Sequence, residues 1–247
     1  MSDQTFTFGG VTSSSYGIYI SGEGVFNAPA RIYEMVDIPG RNGALSIDQK
    51  RYENIEVTYP AFNYEPTLAA FRDNLKGLRD ALSSKIGYQK LTDTIHPDEY
   101  RLGIFAGGLN INPIKYNTAS EFDITFNCKP QRFLTSGEAE QTLAVGNVTN
   151  TVTNPTSFAS RPLFKAKGSG TIVVNGNTAT ITDISSSTTL YIDCELMEAY
   201  TMSGSAIVPA NNKISFSTGE FPTLKAGSNT IKATTTTLSV TPRWWRI

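Results

Sequence analysis

Histidine occurs once in this chain, at position 96, and cysteine twice, at 128 and 194. That scarcity removes most catalytic chemistry at the outset, because an enzyme needs titratable or metal-binding groups that converge. His96 precedes Pro97 in the turn-like stretch Thr94 to Glu99. No Gly-x-Ser-x-Gly elbow presents a serine to it, so it reads as an exposed loop histidine. Neither CxxC nor HExxH spacing is present, and two thiols do not make a disulfide framework. Each cysteine sits in an apolar alternation and is expected to be a buried free thiol. Asp93, Asp98 and Glu99 lack calcium-loop spacing and read as a solvated acidic turn. There is no P-loop and no dinucleotide fingerprint, and Gly168-Ser169-Gly170 is a lone turn. No cofactor and no metal is expected. Basic runs are missing too, and the formal net charge is −1, which argues against nucleic acid as a partner. The start MSDQTFTFGG has neither basic residues nor an apolar stretch, and no run reaches transmembrane length, so no membrane insertion is expected and synthesis in the cytosol is. The sequon at Asn147 carries no meaning there.

What is abundant is core material: 39% hydrophobic residues, 13 Phe and 11 Tyr. Thr5 to Phe8, Tyr16 to Ile20, Ile32 to Ile38 and Ile55 to Phe62 read as strands. The third ends at Pro39-Gly40-Arg41-Asn42-Gly43, where glycines flank one arginine and let a tight turn present its guanidinium. From Pro66 to Ser84 the period changes: Leu68, Phe71, Leu75, Leu78 and Leu82 recur at helical spacing, and this is the one convincing helix. Tyr88 to Leu91, Tyr100 to Ala106 and Glu121 to Cys128 follow as strands, with Gly107 to Thr118 as a long hairpin loop. Residues 135–160 are rich in Thr, Ser, Asn and Gly and mark a domain boundary. Beyond it come short strands and turns only, with Asn175-Gly176 as a type I′ hairpin signal. The alternation Leu190 to Met197 reads as one strand, with Asp193 and Glu195 on a solvent edge rather than as a glycosidase pair. In Trp244-Trp245 one ring is expected in the core and the other, pointing oppositely, at a seam; exposed stacking on a sugar is the rival use.

Several strings taken together resemble the siphophage distal tail proteins. Phe6-Thr7-Phe8-Gly9-Gly10 with Tyr16-Gly17-Ile18 resembles their opening, and Ile38-Pro39-Gly40-Arg41-Asn42-Gly43 a turn of theirs. Phe126 to Leu134 is similar to the end of their first domain, and Asn154-Pro155 with Arg161-Pro162-Leu163 to the entry of the second. Gly219 to Asn229 and Pro242-Arg243-Trp244-Trp245 are similar to their ending. The resemblance implies a mainly β chain with one helix. Its parts would be an N-terminal α+β belt domain over 1–134, a linker over 135–160, and a galectin-like β-sandwich over 161–247. It further implies a homohexameric ring that joins the tail tube, tape-measure, tail-tip and receptor-binding or baseplate proteins. Such a ring is assembled in the bacterial cytoplasm and resides in the virion. Residues 135–247 hold no histidine, so the sugar-reading chemistry of true galectins is missing.

The expected function is therefore a structural hub without catalysis, with Pro39, Gly40, Arg41 and Gly43 as candidate protein-contact residues. Two rivals remain open on the residues alone. One is a carbohydrate-binding or adhesin module, resting on the β-rich half and the tryptophan pair. The other is a small cell-wall hydrolase, resting on loose carboxylates.

Overall fold

A computed structural model describes residues 3–22, 26–114, 116 and 118–247. Its chain divides into two units, residues 1–132 with Ile247 and residues 133–246.

In the first unit the strands are β1 (Phe6–Phe8), β2 (Val11–Thr12), β3 (Ile18–Ile20), β4 (Arg31–Asp37), β5 (Ala44–Tyr52), β6 (Ile55–Tyr64), β7 (Gln89–Asp93), β8 (Glu99–Ile104), β9 (Asn112–Ile114) and β10 (Ala119–Cys128). Seven of them form one antiparallel sheet in the order β2-β1-β7-β8-β10-β6-β3, with β9 also paired to β10. The longest pairing, β6 with β10, runs over ten residues from Ile55↔Cys128 to Tyr64↔Ala119. Alternation fixes which face is dry: Val57, Tyr59 and Ala61 from β6 and Phe122, Ile124, Phe126 and Cys128 from β10 are buried together. Phe6, Phe8, Tyr59 and Phe126 form an aromatic cluster with centroids 4.8–6.1 Å apart. Helix α1 (Leu68–Ser83), the only α-helix among the described residues, lays Leu78 and Leu82 on that core. It starts where the Thr67 hydroxyl accepts a hydrogen bond from the Ala70 amide (3.2 Å), a side-chain cap that Pro66 alone does not reveal.

The second unit continues with β11 (Arg132–Leu134), β12 (Gln141–Leu143), β13 (Asn150–Asn154), β14 (Leu163–Lys167), β15 (Gly170–Val174), β16 (Asn177–Ile181), β17 (Thr189–Asp193), β18 (Glu198–Ser203), β19 (Ala206–Pro209), β20 (Ile214–Phe216), β21 (Gly227–Ala233), β22 (Thr237–Thr241) and β23 (Trp245–Arg246). Two antiparallel sheets, β12-β22-β14-β17-β18-β19 and β13-β21-β15-β16-β20, share one core. Phe164, Leu190, Ile192 and Val240 enter it from one sheet, and Val152, Ile172, Ile181 and Ile231 from the other. This is a β-sandwich. Asn175 and Gly176 both have positive φ (50° and 90°), the geometry of the expected type I′ turn.

Three expectations change. Residues 135–160 are not a free linker, since they supply β12 and β13, one strand to each sheet. The Asn150 side chain bridges both the amide and the carbonyl of Ala144, at 2.9 and 2.8 Å, holding the two together. Nor is Leu190 to Met197 one strand. Met197 takes φ +55° and the chain reverses into the β17–β18 hairpin. Finally, Gly107 to Thr118 is not a free hairpin loop, because Leu109 and Ile111 pack on the core and Asn112–Ile114 pairs with β10. Lys115 and Asn117 of that loop lie outside the described residues.

Candidate functional site

Among the described residues β4 and β5 pair only with each other, and they carry part of the first unit's exposed apolar surface. The link between them is a type II turn: Pro39 occupies its second position, Gly40 its third at φ +80°, and the Arg41 amide donates to the Ile38 carbonyl at 3.1 Å. Gly43, at φ +79°, returns the chain into β5. Pro39, Gly40, Arg41 and Gly43 thus sit together at the tip of the hairpin, all exposed. Sequence reading missed β5. The signal was present, since Leu45 and Ile47 alternate with Ser46 and Asp48, but it covers only four residues.

Register then sorts the hairpin into two faces. The pairs Val36↔Leu45 and Glu34↔Ile47 place Val36, Leu45 and Ile47 on one side with Glu34, and Ile38 continues that face. Tyr33, Met35 and Asp37 point to the other, opposite Asp48, Ser46 and Ala44. On a buried strand such apolar residues would be covered; here Met35 is 63%, Leu45 47% and Ile47 42% exposed. The base is held by polar contacts. Arg31 grips Asp48 with both arms of its guanidinium, Nε to Oδ1 at 3.0 Å, and donates to the Tyr52 hydroxyl at 3.3 Å. Hydrogen bonds from Arg31 and from the Lys50 amide hold the Asp48 carboxyl below its usual value. Gln49 reaches across to Glu34 at 2.9 Å. The hairpin is thus given a fixed register at its base while its apolar side chains stay in water.

His96, the acidic turn, Asp193, Glu195 and the two cysteines assemble no reactive centre among the described residues. His96 is half-buried rather than exposed. Its Nδ1 lies 3.1 Å from Asp93 Oδ1, and its ring tilts against Phe26 at 4.8 Å. The Asp93 oxygens are already engaged by the Tyr59 hydroxyl (2.8 Å) and by the amides of Ile95 and His96. That is a turn anchored to the core. Glu99 pairs with Arg132 at 3.5 Å, and no group of three or more acidic, histidine or cysteine side chains among the described residues could hold a metal ion. Asp193 is buried, contrary to the expected solvent edge, and accepts both arms of Arg243 at 2.7 and 2.8 Å, while Glu195 lies in the following turn. Trp244 is buried in the second core. Trp245 stacks on Phe158 (4.5 Å) and donates its Nε1 hydrogen to the Ala159 carbonyl (3.0 Å), so neither ring offers a free sugar platform. Both cysteines are buried and free. Burial pushes each thiol up to about 12, far from a nucleophile's range.

Residues 11–128 match the family model of a phage tail protein RIFT-related domain. Over 97% of its length the chain superposes on 98% of the Dit protein (gp 19.1) of SPP1, described as a paradigm of hub adsorption apparatus in phages infecting Gram-positive hosts, with a TM-score of 0.75 and 14% identity. It also matches a chain of the phage P2 baseplate in its activated conformation with Ca (TM-score 0.53, 7% identity, 97% of each chain) and one from the same baseplate with Sr (0.53, 6%, 96%). At these identities the likeness is one of fold. No curated protein matches the chain by sequence. The resemblance to siphophage distal tail proteins is borne out in the family model that residues 11–128 match and in the fold of the whole chain.

Proposed function

We propose that the chain is a structural, non-catalytic hub of a long-tailed phage tail tip or baseplate. Its copies close into a homohexameric ring that joins the tail tube and tape-measure protein to the tail-tip and receptor-binding proteins. It is assembled in the bacterial cytoplasm and resides in the virion. The second domain, a galectin-like sandwich, serves protein docking rather than sugar reading. One observation carries the reading: a phage tail domain bears a two-stranded hairpin with an apolar face left in water. Isolated hairpins are marginal alone, and an exposed apolar face marks a protein contact. The tip residues Pro39, Gly40, Arg41 and Gly43 belong to that contact. Head-to-tail contacts between identical copies give a ring where the rotation between them closes and a filament where it does not, and the proposed assembly is the closed case.

Light scattering on the purified chain tests it. Six copies of 26.9 kDa make about 161 kDa, or twice that if two rings stack. A fragment ending at residue 134 keeps the association, and the second domain alone runs as a monomer. Association of the second domain with a monomeric first domain overturns the reading.

A further inference from the structure

The hairpin tip has a counterpart elsewhere in the first domain. On the outer face of the sheet, β6 and β10 form a cleft of about 460 Å³ lined by Ser21, Pro60, Phe62, Glu121 and Asp123. Its floor is apolar: Phe62 is 49% exposed, with Tyr19 beside it at 5.9 Å. Its wall is acidic. Glu121 stands opposite Phe62 and Asp123 opposite Pro60, so both carboxylates project to the same side of β10 as that floor. Two positions along a strand lie about 7 Å apart, which leaves room for a planar cation between them. Both acids are exposed, and neither has an ion-pair partner among the described residues.

We propose that the hairpin tip of one copy docks in this cleft on the next copy, with the Arg41 guanidinium between Glu121 and Asp123 and over the Phe62 ring. Charge chooses the site. A second large groove among the described residues of this domain, along α1, is rimmed by Arg72, Lys76 and Arg79 and repels an arginine. A guanidinium suits the acidic cleft in two ways, since it bridges carboxylates through its fork and stacks on an aromatic face. Reach is available too. The nine residues of β5 extend about 30 Å, and the Pro39-Gly40 turn holds Arg41 at the end of that arm. Each copy carries one tip and one cleft, and a contact between unlike surfaces leaves both ends of a growing chain open until it closes. The inference rests on the ring reading and adds the two surfaces that meet.

Charge exchange separates the two. Arg41→Glu alone, and Glu121→Lys with Asp123→Lys, each place like charges across the contact and lower the ring population about tenfold or more at fixed concentration. The three substitutions combined in one chain restore it. Far-UV circular dichroism identical to that of the unaltered protein shows that each variant folds, and Glu121→Gln with Asp123→Asn supplies a milder second variant with intermediate loss. Rings that form equally well in every variant place the contact elsewhere and leave the ring reading intact. Variants that weaken singly but are not rescued in combination also overturn the pairing. An unaltered chain that stays monomeric at all concentrations overturns the ring reading, and this contact with it.

Discussion

Asp193 shows how far one carboxyl depends on residues distant in sequence. Burial alone pushes its pKa up, but the two arms of Arg243 and the amides of Leu196 and Glu195 outweigh that and hold it below the ordinary value. Alternation around Asp193 was readable; its partner, fifty positions on, was not. The same holds for Arg101, which is buried with its guanidinium directed to the carbonyls of Pro130 and Asn27 at 3.2 and 3.4 Å, a placement that no local pattern announces. The cysteines, by contrast, were readable as buried because Cys128 ends the run Phe122, Ile124, Phe126. A carboxyl with a depressed folded pKa contributes stability above its unfolded value, near 3.9, and loses it as pH falls toward the folded one. Asp193→Asn therefore costs about 3 kcal/mol at pH 7, where it leaves Arg243 without its counter-charge. In urea denaturation the gap between variant and parent narrows below about pH 4. A gap that is constant from pH 7 to pH 3 removes the ionic explanation.

At the scale of elements, legibility followed amphipathicity. Helix α1 and strand β10 have five and four apolar residues in strict period, and both were placed to within two residues. Strands β12 and β13 failed that test because they are half polar: in β13 only Val152 and Asn154 turn inward, and Thr151 and Thr153 face water. Their hold comes from backbone pairing with β22 and β21 and from Asn150, which composition does not reveal. Limited proteolysis should therefore spare 141–154, and a first nick there would show that these strands do not hold. For β4 and β5 the missing information was of another kind. Their periodicity serves a surface that lies on no other part of the described chain. Amides of residues 31–52 should exchange with deuterium quickly in the dissociated chain and slow by an order of magnitude or more on association. Equal rates in both states would mean that the hairpin stays uncovered.

Across the whole molecule, two separate clusters of buried side chains support two units. Fragments 1–132 and 133–247 should each give a cooperative thermal transition by circular dichroism; a fragment that melts without one depends on its neighbour. The phage-tail resemblance was legible in strings such as Ile38 to Gly43 and Phe126 to Leu134, while a single histidine and two cysteines offered little that catalysis could use. Those thiols have a consequence beyond catalysis. At a pKa of about 12, roughly one thiol in 10⁵ is ionised at pH 7, and oxidants attack the thiolate. Burial and protonation therefore leave Cys128 and Cys194 as free thiols in glutathione-rich and in aerated surroundings alike.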